Sequence, residues 1–301
     1  RDAQESRGLG DVYKRQTYNH GHLIKRCLDS IVAQTYIHWE AIVVNNYSND
    51  NTVEIVESYR DPRIRLVNNA NHGIIAVSRN KGIELAKGDW ICFLDSDDWW
   101  TCNKLEACIP FLTNYDLIYT DMFIRYNAEN HGLKTLRGYQ VNKRDPYKEM
   151  LLRGNPCVNS SVVCRKSVIE KIGYLSADVN LIAVEDFDYW LRMAWAKVRF
   201  KHIKKCLGYY WLGNGNLSFN KKQVNRMEAL YEKHLMNIQS SKLKQEIIAH
   251  LCYRQARIFQ LLKEYDASIE KFRQSFHCHD FSVVLRSLLF YSLILLKRKY
   301  E

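Results

Sequence analysis

The stretch "ICFLDSDDWW" runs from Ile91 to Trp100 and joins an apolar segment to a cluster of carboxylates. The run Trp90–Leu94 is short, continuous and apolar, which is typical of a strand that is buried on both faces of a sheet. Asp95, Asp97 and Asp98 follow this run directly. The stretch therefore predicts a buried strand that delivers three carboxylates to one edge of a sheet.

The segments around this stretch repeat the alternation of strand and helix. Three more apolar runs predict strands, at Ala41–Val44, Ile64–Val67 and Leu117–Ile124. Helical spacing of apolar residues appears at Thr52–Tyr59, Ser78–Ala86 and Lys104–Leu112, and we expect Gly88 to end the second of these helices with a left-handed cap. This alternation predicts an α/β fold with a mostly parallel central sheet that is flanked by helices.

The second half of the chain has a mixed pattern that becomes entirely helical. Strands are predicted at Cys157–Lys166, Val198–Ile203 and Leu207–Leu212, a helix at Val184–Trp195, and a loop over residues 127–145. From Lys221 onward all segments have helical spacing, and Ala249–Phe276 resembles a single tetratricopeptide-like hairpin. These patterns predict a domain over residues 17–220 that is followed by a helical extension over residues 221–301.

Composition narrows the class of protein without naming its partner. The chain has 301 residues and a formal net charge of +11, which suits an anionic ligand such as a phosphate-bearing molecule or a membrane surface. Basic and aromatic residues are not interleaved on a recognition face, so we do not expect nucleic-acid binding. The nine cysteines include no C-x-x-C pair, and we expect reduced thiols in a cytoplasmic protein.

The histidines give no recognisable zinc pattern. The pairs His20 with His22 and His277 with His279 are each two residues apart, and we assign both pairs to solvated loops.

Two explanations compete for the acidic cluster. Ser96, Asp97 and Asp98 could cap a following helix, but a cap needs one oxygen rather than three carboxylates. A second polar segment, "NNYSNDNT" (residues 45–52), follows Ala41–Val44 and is expected at the same edge of the sheet, where α/β folds bind ligands. Because Mg²⁺ and Mn²⁺ take hard oxygen ligands, we interpret the cluster as the site of a divalent cation that carries a diphosphate.

The ordered motifs resemble glycosyltransferase family 2, whose members have the Rossmann-like GT-A fold. The resemblance covers Thr17 to Phe219 and rests on "TYN" (residues 17–19), on residues 23–52 and 73–100, and on "EDFDYWLR" (residues 185–192). It implies an inverting enzyme that moves a sugar from a nucleotide-sugar, which we expect to be a UDP-sugar, to a hydroxyl group. The acceptor would be a glycan or a lipid-linked saccharide in the synthesis of a bacterial cell-envelope polysaccharide.

The resemblance also implies roles for individual residues. Asp95 and Asp97 match the D-x-D motif, with Asp97 as the ligand of Mn²⁺ or Mg²⁺ and Asp95 directed at the ribose of the donor. Asp186 matches the catalytic base, although an acidic first turn of a helix is the simpler explanation of a Glu-Asp pair taken alone. The remaining donor-binding positions are Thr17, Tyr18, Asn19, Asn46, Ser48, Arg79, Asn80 and Ser96.

Two departures from the family pattern lead to separate expectations. "NNYS" (residues 45–48) replaces the common "DDGS", which keeps hydrogen-bonding capacity but removes negative charge. Before "TYN" the family has an apolar strand, whereas this chain has "GDVYKRQ" (residues 10–16). We therefore expect residues 1–16 to be non-native or mis-assembled, and to leave the sheet without a proper central strand.

Several functional alternatives remain open from the sequence. A nucleotidyltransferase also pairs carboxylates with a metal, but the chain lacks a glycine-rich, lysine-bearing loop near its beginning. A non-catalytic homologue with a decayed donor site would explain Asn45 and Asn46. The apolar tail "FSVVLRSLLFYSLILLKRKY" (residues 281–300) either packs on the preceding hairpin or lies on the inner face of the plasma membrane.

Overall fold

The computed structural model describes residues 12–14, 19–126, 134–213 and 221–300, with the side chains of residues 19–297 within these ranges. The chain divides into two compact units. The first contains the residues up to Tyr147 and Asn155–Asn214, and the second contains Lys148–Gly154 and the residues from Gly215 onward.

The first unit is built on a mixed sheet. Its strands are β1 (Val12–Lys14), β2 (Ala41–Asn45), β3 (Ile64–Asn68), β4 (Trp90–Leu94), β5 (Trp99–Trp100), β6 (Leu117–Arg125), β7 (Thr135–Leu136), β8 (Val163–Arg165) and β9 (Phe200–Trp211). The strand order is β3-β2-β1-β4-β8-β6-β9-β5, and β7 pairs with β6. β1 to β4 form a parallel set, and β8 is antiparallel to both β4 and β6.

Helices accompany the sheet as the alternating pattern predicts. They are α1 (Gly21–Val32), α2 (Thr52–Ser58), α3 (Ile75–Leu85), α5 (Lys166–Ile172) and α6 (Glu185–Trp195), with short 3-10 helices at Glu106–Phe111, Asn159–Ser161 and Val179–Leu181. The helix α4 (Pro146–Arg153) belongs to the second unit from Lys148 onward. Every residue of β2 and β4 is buried, as expected for continuous apolar strands in the middle of a sheet. The predicted α/β class is confirmed.

Several predicted elements differ from the observed ones. The two predicted strands after Val198 form one strand, β9, which continues through the exposed Lys204 and Lys205. The segment after the acidic cluster is a two-residue strand and then a 3-10 helix with Pro110 inside it, so the helix-cap explanation of the cluster is wrong. α3 ends at Leu85 with an extended Ala86, and Gly88 does not have the predicted left-handed conformation.

β1 occupies the position in the sheet that we expected to lack a proper strand. Val12 and Tyr13 pair in parallel with Ala41 and Ile42 of β2 on one side, and residues 12–14 pair with β4 on the other. The strand is therefore present, but it has three residues where β2 and β4 each have five. Whether residues 1–16 are native stays a prediction.

Replacing residues 10–16 with a five-residue apolar strand should raise the melting temperature. A longer β1 would add apolar burial between two fully buried strands, and each buried side chain contributes about 1.5–3 kcal/mol. For a domain of this length, each kcal/mol of added stability raises the melting temperature by roughly 2–4 °C. Differential scanning fluorimetry of the two proteins checks the expectation, and an unchanged or lower melting temperature would contradict it.

The second unit is helical, as predicted from Lys221 onward. Its helices are α7 (Lys221–Leu235), α8 (Ser241–Leu261), α9 (Tyr265–Ser275) and α10 (Phe281–Tyr300). α8 and α9 form the predicted hairpin, and Ile294 of α10 packs in the same apolar cluster as Phe272 of α9. Among the described residues, no helix has the length and apolar character that a membrane crossing requires.

Candidate active site

The strand β4 delivers its carboxylates to the predicted edge of the sheet, where other segments hold them in place. The backbone N–H of Asp95 donates to Ser160 Oγ at 2.9 Å, and Asn159 Nδ2 donates to Asp95 Oδ1 at 3.1 Å. Ser96 is fully buried, and its hydroxyl lies 2.7 Å from His20 Nδ1. Two distant segments of the chain therefore hold Asp95 and Ser96, the first two residues of the D-x-D motif, in place.

A buried ion network connects the D-x-D motif to the helix α6. Arg79 Nη2 lies 3.3 Å from Asp95 Oδ1, and Arg79 Nη1 lies 2.5 Å from Glu185 Oε1. The three side chains are each no more than 6% exposed. Because an unpaired buried charge is costly, this network fixes the carboxyl end of β4 against the first turn of α6.

Asp97 and Asp98 have different surroundings although they are adjacent in the sequence. Asp98 is buried, and its Oδ1 accepts a hydrogen bond from the backbone N–H of Trp211 at 2.8 Å. The pKa of Asp98 is raised well above its usual range, first because the side chain is buried and second because Asp97 and Asp95 are near. Asp97 is half-buried, and its backbone carbonyl accepts a hydrogen bond from Arg26 at 3.0 Å. Of this pair, Asp97 is thus the carboxylate that a ligand can reach.

The loop after β2 reaches the same region. Asn19 has a left-handed backbone (φ 54°), its N–H donates to Ser48 Oγ, and its Oδ1 accepts from the N–H of Asn49. Asn46 Oδ1 accepts from the backbone N–H of Asn71 at 3.0 Å. The structure therefore brings Asn19 and Ser48 together, whereas the predicted site residues Thr17 and Tyr18 lie outside the described residues.

Asn80 has a different environment from its neighbour Arg79. Its amide donates to the carbonyl of Leu175 at 2.9 Å and accepts from the N–H of Leu175 at 3.0 Å. Both polar atoms of the Asn80 side chain therefore bind the segment between α5 and α6.

Asp186 lies in the first turn of α6, beside the ion network. Its Oδ1 accepts a hydrogen bond from the N–H of Phe187 at 2.7 Å, and its Oδ2 lies 3.5 Å from Asn155 Nδ2. Burial and the negative charge of Glu185 raise its pKa to about 7, although Arg79 and the N–H of Phe187 act in the opposite direction. A carboxyl group with a pKa near neutrality is suited to accept and release a proton.

The sequence interpretation missed several side chains that support the site. His20 was assigned to a solvated loop, but it contacts the buried Ser96. Asn159 and Ser160 were placed in a strand, but they belong to a 3-10 helix that contacts Asp95. The only local signal was the polar "NSS" (residues 159–161) inside an otherwise apolar run, and all three residues are buried.

Comparison with known proteins agrees with this arrangement. Residues 16–173 match the domain described as Glycosyl transferase family 2. The chain is 30% identical over 209 residues to the "Putative teichuronic acid biosynthesis glycosyltransferase TuaG" of Bacillus subtilis (strain 168), which covers 68% of this chain and 80% of that protein. It is 29% identical over 175 residues to the "UDP-Glc:alpha-D-GlcNAc-diphosphoundecaprenol beta-1,3-glucosyltransferase WfgD" of Escherichia coli, which covers 58% of this chain and 66% of that protein.

A solved structure shares the fold at low sequence identity. The structure of S. aureus TarS 1–349 in complex with UDP-GlcNAc superposes with a TM-score of 0.65 and 20% identity, over 87% of this chain and 79% of that one. The family match covers more than half of the chain, and the fold agrees with it. The chain therefore belongs to glycosyl transferase family 2, and it is a glycosyltransferase with the GT-A fold.

Proposed function

We propose that this enzyme transfers a sugar from a UDP-sugar to a hydroxyl group of a glycan or a lipid-linked saccharide, with inversion at the anomeric carbon. The observation that carries the proposal is the ion network of Arg79, Asp95 and Glu185, which holds the D-x-D motif beside Asp186. A donor bound at the D-x-D motif would thus have its anomeric carbon near a carboxyl group that can act as a base.

The donor would lie along the carboxyl ends of β1, β2 and β4. Asn19, Asn46 and Ser48 would surround the nucleotide base, and Asp95 would face the ribose. Within the described residues, Glu185 Oε2 is buried and has no hydrogen-bond partner, so it can accept a hydrogen bond from the sugar. The complex of TarS with UDP-GlcNAc and the UDP-Glc donor named for WfgD favour a uridine nucleotide.

The side chains at the end of β4 fit a divalent cation. Mg²⁺ and Mn²⁺ prefer carboxylate oxygens, and one or two carboxylates suffice when phosphates and water complete the shell. Asp97 is half-buried and would hold the ion, while Asp95 is engaged by Arg79 and Asn159. Asp97 and Asp95 act in the same direction as burial on the pKa of Asp98, which is consistent with carboxylates that lie close together. When bound, the cation would stabilise the negative charge of the leaving diphosphate.

Asp186 would act as the general base. Its carboxylate would take the proton of the acceptor hydroxyl as that oxygen forms a bond to the anomeric carbon and the bond to the diphosphate breaks. Asn155 Nδ2 and the N–H of Phe187 both face this carboxylate and would orient it. Because a single displacement occurs on the face opposite the leaving group, the anomeric configuration would invert.

The second candidate is a non-catalytic, nucleotide-sugar-binding homologue with a decayed or truncated donor site. The observation that favours it is Asn45, which replaces a carboxylate in the family motif. Its Oδ1 accepts hydrogen bonds from the N–H and the hydroxyl of Ser48, and its Nδ2 donates to Asn68. The loop thus keeps an ordered conformation without the usual negative charges. If a nucleotide binds in a metal-dependent way, the chain has a donor site, which both candidates allow. Turnover then distinguishes the enzyme from the non-catalytic homologue.

Thermal stabilisation by nucleoside diphosphates is the direct test of the donor site. We expect UDP with Mn²⁺ to raise the melting temperature, GDP and TDP to raise it less, and UDP without metal to have little effect. At a nucleotide concentration about 100 times the dissociation constant, binding adds roughly 2.7 kcal/mol to the stability of the folded state. Asp97→Ala should abolish the metal-dependent part.

Asp178→Ala is a matched control for this test, because Asp178 is an exposed carboxylate outside the site. The control should respond to UDP and Mn²⁺ like the wild type. Absence of any stabilisation in the wild type would contradict a working donor site.

We also propose that α10 places the enzyme on the cytoplasmic face of the plasma membrane, near a lipid-linked acceptor. One side of α10 packs in the second unit through Val283 and Ile294. The helix also carries exposed apolar residues at Phe281, Leu285, Leu288, Leu289, Leu293, Leu295 and Leu296, and each of them except Leu295 lies three or four positions from another. The basic Arg286 and Lys297 lie on the same helix, so an anionic bilayer fits both features.

Placing carboxylates on this exposed face should weaken membrane binding. We expect the double variant Leu285→Glu/Leu289→Glu to reduce the fraction bound to anionic vesicles by about tenfold or more, because it replaces apolar insertion by repulsion. Co-sedimentation with vesicles of an anionic phospholipid measures this fraction. Leu261→Glu, which changes an equally exposed leucine at the end of α8, should bind like the wild type. Equal binding of all three proteins would disprove the membrane role of α10.

A further inference from the structure

The second unit contains a cluster of metal-ligating side chains that is separate from the donor site. Glu246 and His250 lie one turn apart on α8, and Cys278 lies in the segment between α9 and α10. One ligand atom from each of these three residues lies within 4.8 Å of the other two. His279 and Asp280 follow Cys278 in the chain and also face Glu246 and His250.

The distances within this cluster resemble those of a tetrahedral site. Cys278 Sγ lies 3.1 Å from Glu246 Oε1, His250 Nε2 lies 3.6 Å from the same oxygen, and His250 Nε2 lies 4.0 Å from Asp280 Oδ2. Metal–ligand bonds of 2.0–2.3 Å in tetrahedral zinc sites place neighbouring ligand atoms about 3.3–3.8 Å apart. These three distances therefore lie close to the range expected for neighbouring ligands of one ion.

Glu246 retains acceptor capacity in this arrangement. Its Oε1 accepts from the N–H of Asp280, and its Oε2 accepts from the N–H and Nδ1 of His279. A carboxylate has about four lone-pair positions. Replacing the hydrogen bond from the Cys278 thiol by a bond to a metal leaves the backbone contacts of Glu246 in place.

Burial and the surrounding contacts also suit a bound ion. His250 and Cys278 are buried, so solvent has little access to their side chains. Asp280 and His279 are 44% and 63% exposed, so the ion has a route into the cluster.

We propose that Glu246, His250 and Cys278 bind a zinc ion, with Asp280 or His279 as the fourth ligand. Thiolate, imidazole and carboxylate together suit zinc better than Mg²⁺, which prefers oxygen ligands alone. On binding, the Cys278 thiol loses its proton to solvent and the thiolate sulfur forms a bond to zinc. The ion joins α8 to the segment that leads into α10, and this role is independent of sugar transfer.

Cobalt substitution tests the proposal without relying on activity. The full chain carrying Asp97→Ala, which removes the ligand proposed for the donor-site cation, is stripped of metal and titrated with Co²⁺. We expect about one Co²⁺ per chain and a thiolate-to-cobalt absorption band in the near ultraviolet, because a sulfur ligand produces this band. Added Zn²⁺ should displace the cobalt and remove the band.

Three further substitutions assign the ligands. Cys278→Ser should abolish the band, His250→Gln should weaken cobalt binding by about 100-fold or more, and Cys102→Ser should change neither, since Cys102 is an exposed cysteine in the first unit. Far-ultraviolet circular dichroism confirms that each variant is folded. Absence of the band in the chain with Cys278 intact would overturn the proposal whatever the variants do, and a band that survives Cys278→Ser would overturn the assignment of the ligands.

Discussion

Asp186→Asn should reduce the rate of sugar transfer by about 10²–10⁴-fold, the usual contribution of a general base, and leave donor binding within about twofold of the wild type. The amide cannot take a proton from the acceptor hydroxyl, but it has nearly the same shape as the carboxyl group. Its single amide oxygen can still accept the hydrogen bond from the N–H of Phe187, whereas the longer contact with Asn155 Nδ2 is lost. Transfer is measured by release of UDP, and donor binding by calorimetry with UDP and Mn²⁺.

Asp178→Asn is the matched control for this substitution. Asp178 is an exposed carboxylate eight positions earlier in the chain, and its Oδ1 accepts a local hydrogen bond from the N–H of Asn180 that an amide oxygen can also accept. We expect its transfer rate to equal that of the wild type. If Asp186→Asn retained wild-type transfer, Asp186 would not be the base.

The pH dependence of the wild type gives a second readout of the same role. The pKa of Asp186 is raised to about 7, so its base form is lost as the pH falls through this value. We therefore expect kcat/KM to fall about tenfold per pH unit below pH 7, because kcat/KM reports ionisations of the free enzyme. A profile that stays flat down to pH 5 would mean that another group accepts the proton.

Arg79→Ala should destabilise the first unit by about 3–5 kcal/mol, the cost of removing one partner of a buried ion pair. The substitution leaves Asp95 and Glu185 buried without the guanidinium that lies between them. For a domain of this length the corresponding decrease in melting temperature is roughly 6–20 °C. Arg79→Lys should recover only part of the loss, since one ammonium group cannot reproduce two separate guanidinium contacts. Differential scanning calorimetry measures both variants.

An exposed ion pair supplies the control for Arg79. Arg153 lies 2.8 Å from Glu149 within α4, and its side chain is 50% exposed. Removal of such a pair usually costs less than about 1 kcal/mol, so Arg153→Ala should change the melting temperature by no more than a few degrees. Equal effects of Arg79→Ala and Arg153→Ala would show that the buried network does not stabilise the fold.

The strands that carry the D-x-D motif and the "NNYS" loop were predictable because they are buried on both faces. A strand in that position needs an unbroken apolar sequence, and Ala41–Val44 and Trp90–Leu94 both satisfy this requirement. β9 was predicted as two strands, because Lys204 and Lys205 interrupt its apolar pattern. Its register against β6 shifts between Thr120 and Asp121, and the strand continues through the irregularity.

The contacts around the D-x-D motif could not be predicted in the same way. Asn159 contacts Asp95 from 64 positions away, and His20 contacts Ser96 from 76 positions away. Neither contact produces a periodic pattern in the sequence, since each depends on which strands become neighbours in the sheet. Glu246, His250 and Cys278 were not recognised as a cluster because Cys278 is distant from the other two in the sequence and meets them only in the folded second unit, although the α8–α9 hairpin was predicted.

The discontinuous second unit has a consequence for how such an enzyme can evolve. Lys148–Gly154 belongs to this unit, and the carbonyl of Leu151 accepts hydrogen bonds from the hydroxyl of Tyr231 and from Arg254. A recombination event that transplanted only the C-terminal helices would make these donors depend on the matching segment of the recipient chain. The helical unit is therefore not a simple appended module. Its inheritance is linked to a seven-residue segment that lies inside the catalytic domain's own sequence.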